Sequence, residues 1–503
     1  MGPRVPQGPP ANRDDRGAAC YVDAVPVTSR YRPAPRFDAL GATFADVVEP
    51  ARFPTRILRF RNQRWAERVG LGELTPTEWE AAFARFEPLA GNLRAPLALR
   101  YHGHQFQVYN PQLGDGRGFL YAQLLDDHDR LLDLATKGSG QTPWSRGGDG
   151  RLTLKGGVRE ILATEMLEAL GVPTSKTWSL FETGERLHRG DEPSPTRSSV
   201  LVRLGHSHVR FGSFQRHAHH RDRDSLRALL DFSVLHYAPE LCHLGEHAAR
   251  TFLKTVVART AHLCATWMAA GFVHGVLNSD NLNVTGESFD YGPWRFLPVF
   301  DPTFTAAYFD HAGLYAYGSQ PAAVRWNLEH LALALTPISS GEPLRVGAEF
   351  DDGFEAALDR AIVRRLGVRS RGPLADRLLR GTVFRFLFDT KIGFERFFFD
   401  WYGGASSAAR ARRSPHAAAY AGAAALAVVG DLMVHQPVDP ARLDHPYFAG
   451  DAPCTMLVDD VEAIWAAIAV RDDWRPLEDK LVQIRVMADA LGSGQAGQAG
   501  QAG

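Results

Sequence analysis

Three stretches of the chain hold side chains whose types and spacing could do chemistry. The first runs from His274 to Asp290. Within it Asp280 and Asn281 precede a short β-type run, Leu282 to Val284, Gly286 can turn the chain, and a return strand ends at Asp290. In such a hairpin the residue opening one strand lies opposite the residue closing the other, so Asn281 and Asp290 are expected to meet. An amide oxygen beside a carboxylate suits Mg²⁺, which takes few protein ligands and fills its octahedron with water and phosphate. Mn²⁺ accepts the same oxygens. Asp280 then stands one residue from the metal, free to take a proton from an attacking hydroxyl. An ordinary hairpin with turn-forming Asn and Asp would carry the same letters.

The second stretch is Gly114-Asp-Gly-Arg117, followed twenty residues later by Lys137-Gly-Ser-Gly140. A Gly-x-Gly turn lets backbone amides approach a phosphate closely, and a Lys at a strand end can reach the same group. The tetrapeptide recurs at Gly148-Asp149-Gly150-Arg151. On its own, such a turn is simply a favourable hairpin connection. Lys137 is more pointed, because the chain has six lysines (137, 155, 176, 254, 391 and 480) against fifty arginines. Glu160, on the inner face of a helix expected over 158–170, could hold Lys137 as the strand Lys and helix Glu of kinases hold each other. Its neighbour Arg159 cannot face the same way.

The third is Arg203-Leu-Gly-His-Ser-His-Val-Arg210. Two guanidinium groups could clamp a terminal phosphate through paired donors. The pairs His102/His104 and His206/His208, with His217 to His220, lack a third ligand at zinc spacing and any Cys partner, so zinc is set aside. The run Arg216 to Arg223 is expected as an exposed charged loop.

These residues need elements to hold them. Between 100 and 205 the pattern is short strands and tight turns around one helix. Gly118–Leu125 and Arg130–Thr136 are apolar runs separated by the polar turn 126–129, and Gly171 with Pro173 stops the helix. Beyond about 225 apolar stripes at helical spacing dominate, at Leu226–Tyr237, Thr251–Ala270 and Ala322–Leu335 and again past 350. A strand-rich half followed by a helix-rich half is an α+β pattern that resembles a two-lobed, kinase-like architecture with extra C-terminal helices. The expected divisions are a disordered lead-in at 1–36, a nucleotide-binding part at 37–205, a catalytic part at 206–340, a helical extension at 341–491 and a flexible tail at 492–503.

Composition narrows the partners. At 45% hydrophobic and 22% charged residues, with a formal net charge of -1, the 503-residue chain is globular and has no global field to hold nucleic acid or an anionic membrane. Cys20, Cys242, Cys264 and Cys454 are scattered and form no C-x-x-C pair. The N-terminus has no apolar signal core, and the Ala-rich run 416–430 is shorter than the ~20 residues a membrane span needs. A cytoplasmic location is expected.

Taken together, the stretches resemble the selenoprotein O family, the bacterial YdiU proteins, which are pseudokinase-fold protein nucleotidyltransferases. The matching text includes Tyr101-His-Gly-His-Gln-Phe106, Gln112-Leu-Gly-Asp-Gly-Arg117, Lys137 through Arg151, Arg159-Glu160, Ser207-His-Val-Arg-Phe-Gly212, His274 through Asn281, Asp290-Tyr-Gly-Pro293 and Tyr317-Gly-Ser-Gln-Pro321. It covers roughly residues 100 to 335. The resemblance implies ATP bound in inverted orientation and AMP moved onto Ser, Thr or Tyr hydroxyls of proteins, the chain itself among the possible acceptors, with pyrophosphate released. It implies nucleotide contacts from Gly114, Gly116, Arg117, Lys137, Asp149, Gly150, Arg203 and Arg210, a metal held by Asn281 and Asp290, and Asp280 as proton acceptor. The chain departs from the family where Leu277-Asn-Ser replaces the usual Met-Asn-Thr, where Lys155-Gly-Gly-Val precedes the Arg-Glu helix, and in having no Cys after Cys454. The alternatives are a kinase-like transfer of the γ-phosphate, UMP transfer from UTP and a non-catalytic nucleotide-binding module. Against an aminoglycoside-kinase type of loop, position 276 is Val, and Asn281 follows Asp280 directly.

Overall fold

The computed structural model describes residues 28–190, 192–340 and 344–493. Its strands are β1 (Ala45–Val47), β2 (Ile57–Arg61), β3 (Leu97–Leu99), β4 (Gly103–Gln105), β5 (Val108–Asn110), β6 (Leu120–Leu125), β7 (Leu131–Lys137), β8 (Leu152–Thr153), β9 (Lys176–Leu187), β10 (Thr196–Gly205) and the small pair β11 (Phe272–Val273) and β12 (Arg295–Phe296). An antiparallel sheet runs in the order β1-β3-β6-β7-β10-β9-β2, with β8 paired to β10, while β4 and β5 form a separate hairpin. Both faces of this sheet are covered, which is why β7 reads as a nearly continuous apolar run. Val200, Val202 and Leu204 of β10 point into a cluster around Trp79, Trp178 and Phe83, whereas Leu201 joins the larger core. The Trp79 and Trp178 rings stack at 5.2 Å, and Trp79 Nε1 donates to Ser179 Oγ.

The helix Leu154–Ala169 packs on the other face, against β9 and β10. Thr153 caps it by accepting from the Gly156 N–H, and Gly171 (φ 72) takes the chain out of it. It starts four residues earlier than the apolar spacing suggests, because the Lys155-Gly-Gly stretch has no stripe to read, while the Thr153 cap and the buried Leu154 and Gly157 fix its first turn. Helices Arg223–Tyr237, Ala248–Ala269 and Gln320–Leu335 lie where the stripes are, followed by further helices to Leu491. The last two, Val458–Arg471 and Arg475–Leu491, return to the helix Leu154–Ala169, where Lys155 Nζ meets Glu462 at 2.8 Å. No helix among the described residues is long and apolar enough to cross a membrane.

Two expectations shift. Residues 28–36 run along β6, with hydrogen bonds Ala34 N to Gln123 O and Leu125 N to Arg32 O and with Tyr31 buried. The expected lead-in therefore does not extend through them, and residues 1–27 lie outside the described residues. Gly492 (φ 69) and Ser493 close the last helix, and the remainder of the expected tail, 494–503, also lies outside. The run from Arg216 begins as helix, not loop: Phe211–His219 is helical, and His217 is buried against Phe44. Its charged letters hid a helix whose other face is apolar.

Candidate active site

Register puts Lys137 and Arg203 together. On β7 and β10, Lys137 pairs with Leu201 and Ala135 with Arg203, so the two cations are diagonal neighbours on one face. Lys137 Nζ pairs with Glu160 of the overlying helix and lies 2.7 Å from Asp290 Oδ1. Arg203 Nη1 is 3.3 Å from the same oxygen, and Arg210 Nη1 is 3.7 Å from Asp290 Oδ2. Burial alone would raise the Asp290 carboxyl, but Lys137, Arg203, Arg210 and Arg117 hold it well below the usual range. Asp290 itself has φ 65, a left-handed conformation that Asp tolerates better than most residues.

Asp280 sits in a short 3₁₀ turn, Ser279–Asn281. Burial lifts its carboxyl to about 6 against the opposing charge of Arg210, and Asp290 adds to the rise. Its Oδ1 is buried without a hydrogen-bond partner, while Arg210 Nη1 donates to the Asp280 carbonyl at 2.6 Å. Arg210 Nη2 reaches Asp115 Oδ1 at 3.2 Å, and its guanidinium lies over the Tyr101 and Phe289 rings.

The expected hairpin over 281–290 does not form. Gly286 (φ 70) does turn the chain, but Asn283 bridges Arg210 and Ser288 bridges Thr174, because both arms are buried and find partners on other elements. Asn281 thus reaches the site from the end of the 3₁₀ turn and not across a ladder from Asp290. Its Nδ2 donates to Val276 O at 2.9 Å, which orients the amide and leaves Oδ1 as its acceptor.

A cleft of about 590 Å³ gathers these groups. Gly114, Gly116, Arg117, Lys137, Asp149, Gly150, Arg203, Arg210, Asp280 and Asp290 all line it; Glu160 and Asn281 do not, Glu160 pairing with Lys137 and Asn281 following Asp280 in the 3₁₀ turn. Seven cationic side chains face it against four carboxylates, an excess suited to a polyphosphate. The loop Thr142–Gly150 folds over the Gly114 turn, with Ser145 Oγ donating to Gly116 O and Thr142 Oγ1 to Asp115 O. A side chain at Gly114 would run into the Trp144 ring, so this glycine is required by packing as well as by any ligand. Asp149 accepts from both Nη atoms of Arg189 and from the Arg151 N–H.

Sequence reasoning missed several of the lining groups. Arg189, in the β9–β10 connection, carries no local signal. Arg146 (φ 50) is exposed beside the cleft, and its charge acts on Asp280. Behind Arg203 lies a buried chain in which Asp133 Oδ2 accepts from the His208 N–H at 2.8 Å and faces His208 Nδ1 at 3.2 Å. The His208 Nε2 then accepts from Arg203 Nε at 3.2 Å. Only the pairing of Gly205 with Asp133 brings these together, and a linear reading cannot supply that. Among the described residues no three His, Cys, Asp or Glu side chains cluster so as to hold a metal by themselves.

A polyphosphate-sized cationic cleft, a buried Lys–Glu pair across sheet and helix, and a carboxyl with a free oxygen at the cleft wall define a nucleotide-dependent transferase. The chain belongs to the protein adenylyltransferase SelO family, whose model matches residues 27–485. It is 44% identical over 488 residues to the protein nucleotidyltransferase YdiU of Synechococcus elongatus, covering 93% of this chain and 97% of that protein. The protein of the same name from Gloeobacter violaceus is 45% identical over 477 residues, covering 90% and 95%. That from Trichodesmium erythraeum is 42% identical over 482 residues, covering 90% and 98%. Membership makes the chain an enzyme of the nucleotidyltransferase type.

Proposed function

We propose that the chain transfers AMP from ATP to Ser, Thr or Tyr hydroxyls of proteins. The acceptor oxygen attacks the α-phosphorus, the bond from that phosphorus to the bridging oxygen breaks, and pyrophosphate leaves. Asp280 takes the hydroxyl proton; its raised pKa and unpartnered Oδ1 support that role. Lys137, Arg203, Arg210 and Arg117 bind the phosphates, with the Gly114, Gly116 and Gly150 backbone and Asp149 framing the nucleotide. Glu160 and the Asp133–His208 chain position Lys137 and Arg203.

Asn281 Oδ1 and the Asp290 carboxylate fit a hard divalent ion, Mg²⁺ or Mn²⁺, because both present oxygens and Asp290 is kept ionised. Such an ion, when bound, neutralises phosphate charge and completes its shell with phosphate and water. The arrangement reads as a two-lobed pseudokinase, with 37–205 and 206–340 as the lobes and 341–491 as an extension, working in the cytoplasm.

The observation that carries this reading is the meeting of Lys137, Arg203 and Arg210 at Asp290, in one cleft with Asp280. Incubating the protein with α-labelled and, separately, γ-labelled ATP tests it. Label from the α position on protein Ser, Thr or Tyr supports AMP transfer. Label from the γ position alone overturns it in favour of a kinase.

A further inference from the structure

The wall of the cleft beside Asp280 is the β4–β5 hairpin. Gly103 lies so close to the 3₁₀ turn that a Cβ there would stand 3.1 Å from Ser279 Oγ and 3.4 Å from Asp280 Cβ. The His104 N–H donates to Ser279 Oγ at 2.7 Å, and the Phe106 N–H donates to Asn278 Oδ1 at 3.1 Å. Gln105 lines the cleft with Asp280. The hairpin is therefore fixed to the segment that carries the proposed base.

Its tip is unusual in sequence. Gln105 pairs with Val108, leaving a two-residue connection of Phe106 (φ 50) and Gln107 (φ 63). Left-handed backbone at both positions is the geometry that Asn-Gly normally supplies. A bulky aromatic residue held there signals a constraint imposed by its surroundings. What the turn achieves is to present the Phe106 ring, 37% exposed, against Tyr315 at 5.0 Å and Phe309 at 5.9 Å. Tyr315 is fixed in turn by its hydroxyl, which donates to Asn278 Oδ1. Phe309 is 42% exposed, and its neighbour Tyr308, 77% exposed, meets it edge-on at 5.1 Å. Three large aromatic side chains thus form one exposed apolar lip, which begins at Phe106 next to the cleft-lining Gln105. A contiguous patch of this kind marks a binding surface.

We propose that Phe106, Tyr308 and Phe309 dock the acceptor polypeptide by receiving a large apolar side chain next to the hydroxyl that is modified. This rests on the transfer reading above. The occupant follows from position. The phosphates occupy the cationic side, under the Gly114 turn and Lys137, while a hydroxyl approaching Asp280 must bring its flanking residues over the hairpin to which Asp280 is packed. Apolar, uncharged flanks match this lip, and acidic or glycine flanks do not.

The test uses the full chain with two peptide sets, each holding one Tyr or Ser. In one set the residues beside it are Phe or Leu, in the other Gly. AMP incorporation from α-labelled ATP gives kcat and KM, and fluorescence anisotropy of the labelled peptides gives binding without turnover. The wild type is expected to favour the apolar-flanked peptides by about tenfold in kcat/KM, a typical contribution for one aromatic anchor. Phe106→Ala, Phe309→Ala and Tyr308→Ala, the last at the most exposed of the three, should raise the peptide KM and erase that preference, with the KM for ATP unchanged; Phe106→Leu should keep most of it. Equal affinity for the two sets, or a preference untouched in all three alanine variants, overturns the proposal. Transfer of γ label with the same flank preference would overturn AMP transfer while supporting the lip.

Discussion

Lys137 Nζ stands 2.7 Å from Asp290 Oδ1 while its other side is paired with Glu160, so one buried ammonium bridges the helix and the proposed metal ligand. In the proposed complex nucleotide and metal would divide this pair between them, Lys137 turning to phosphate and Asp290 to the cation. The bridge explains why a protein that uses arginine almost everywhere keeps lysine here. A compact, rotatable charge can change partners, whereas a planar guanidinium fork would be held by one. Lys137→Ala is expected to lower kcat by about 10²–10³, the scale of losing one preorganised charge at a reacting phosphate. Lys137→Arg should restore little of it. Steady-state kinetics with saturating ATP decide the point, and a drop of tenfold or less would make Lys137 peripheral.

Asp290 is surrounded by three cations and relieves their mutual repulsion. Asp290→Ala should abolish the gain in ATP affinity that metal brings. With the negative charge gone, ATP should bind the variant at least as well as the wild type when metal is chelated. Calorimetric titration with and without Mg²⁺ measures both. Unchanged metal dependence would remove Asp290 from the proposed metal site.

Glu160 touches no ligand in the proposed arrangement; it acts through Lys137. Glu160→Gln keeps a hydrogen-bond acceptor but removes the charge that shares Lys137 with Asp290. The expected result is a fall in kcat of about tenfold, with a shifted Mg²⁺ requirement, since Asp290 would then be the one carboxylate left to the lysine. A merely structural role would lower Tm and leave the Mg²⁺ titration where it was.

The parts of this site carried by local letters were legible. A strand-end lysine, glycine turns, two arginines seven residues apart and Asp280-Asn281 are short-range patterns, and the cleft gathers them or their immediate neighbours. The path of 282–290 was not legible, because a β-type run states that it will be paired and leaves open with what. Here Arg210 and Thr174 outcompeted the expected return strand. The same holds for the Asp133–His208–Arg203 chain and for Arg189, which depend on register and on a long hairpin connection. The helix at Phe211–His219 was obscured by a charged surface face, and the terminal return of the Arg475–Leu491 helix to the Glu160 helix lies beyond any local signal.

Asp280→Asn removes the proposed proton acceptor and leaves the shape intact. Incorporation of AMP should fall by about 10²–10⁴, the usual range for a general base, while ATP affinity stays near that of the wild type. Arg210 tests the surroundings of the same residue. Its Nη1 holds the Asp280 carbonyl, so Arg210→Lys should disturb both phosphate binding and the base, raising the KM for ATP and lowering kcat together. If Asp280→Asn transfers AMP at more than a tenth of the wild-type rate, another group takes the proton.

His102 links the hairpin wall to the helix Phe211–His219 and gives the fold an acid sensitivity of known sign. Arg216 Nη1 donates to its Nε2 at 2.9 Å, and a guanidinium cannot accept, so Nδ1 must carry the proton and donate to the Tyr109 hydroxyl at 2.7 Å. Burial, with Arg216 second, lowers the His102 pKa to about 3, and the neighbouring His104 and His217 fall to about 4. Unfolded, each would protonate near 6.5. The unfolded chain therefore binds more protons as acidity rises, so the stability these neutral rings allow is intact above about pH 6.5 and is lost as pH falls toward 4 and then 3. Melting curves from pH 7.5 to 5 should show Tm dropping steadily below 6.5. His102→Gln keeps an oxygen for Arg216 and an amide for Tyr109 but cannot titrate, so its Tm should fall less steeply over that interval even if it starts lower. Parallel slopes for the two proteins would mean that His102 is already protonated in the folded state, against the hydrogen bond it accepts from Arg216.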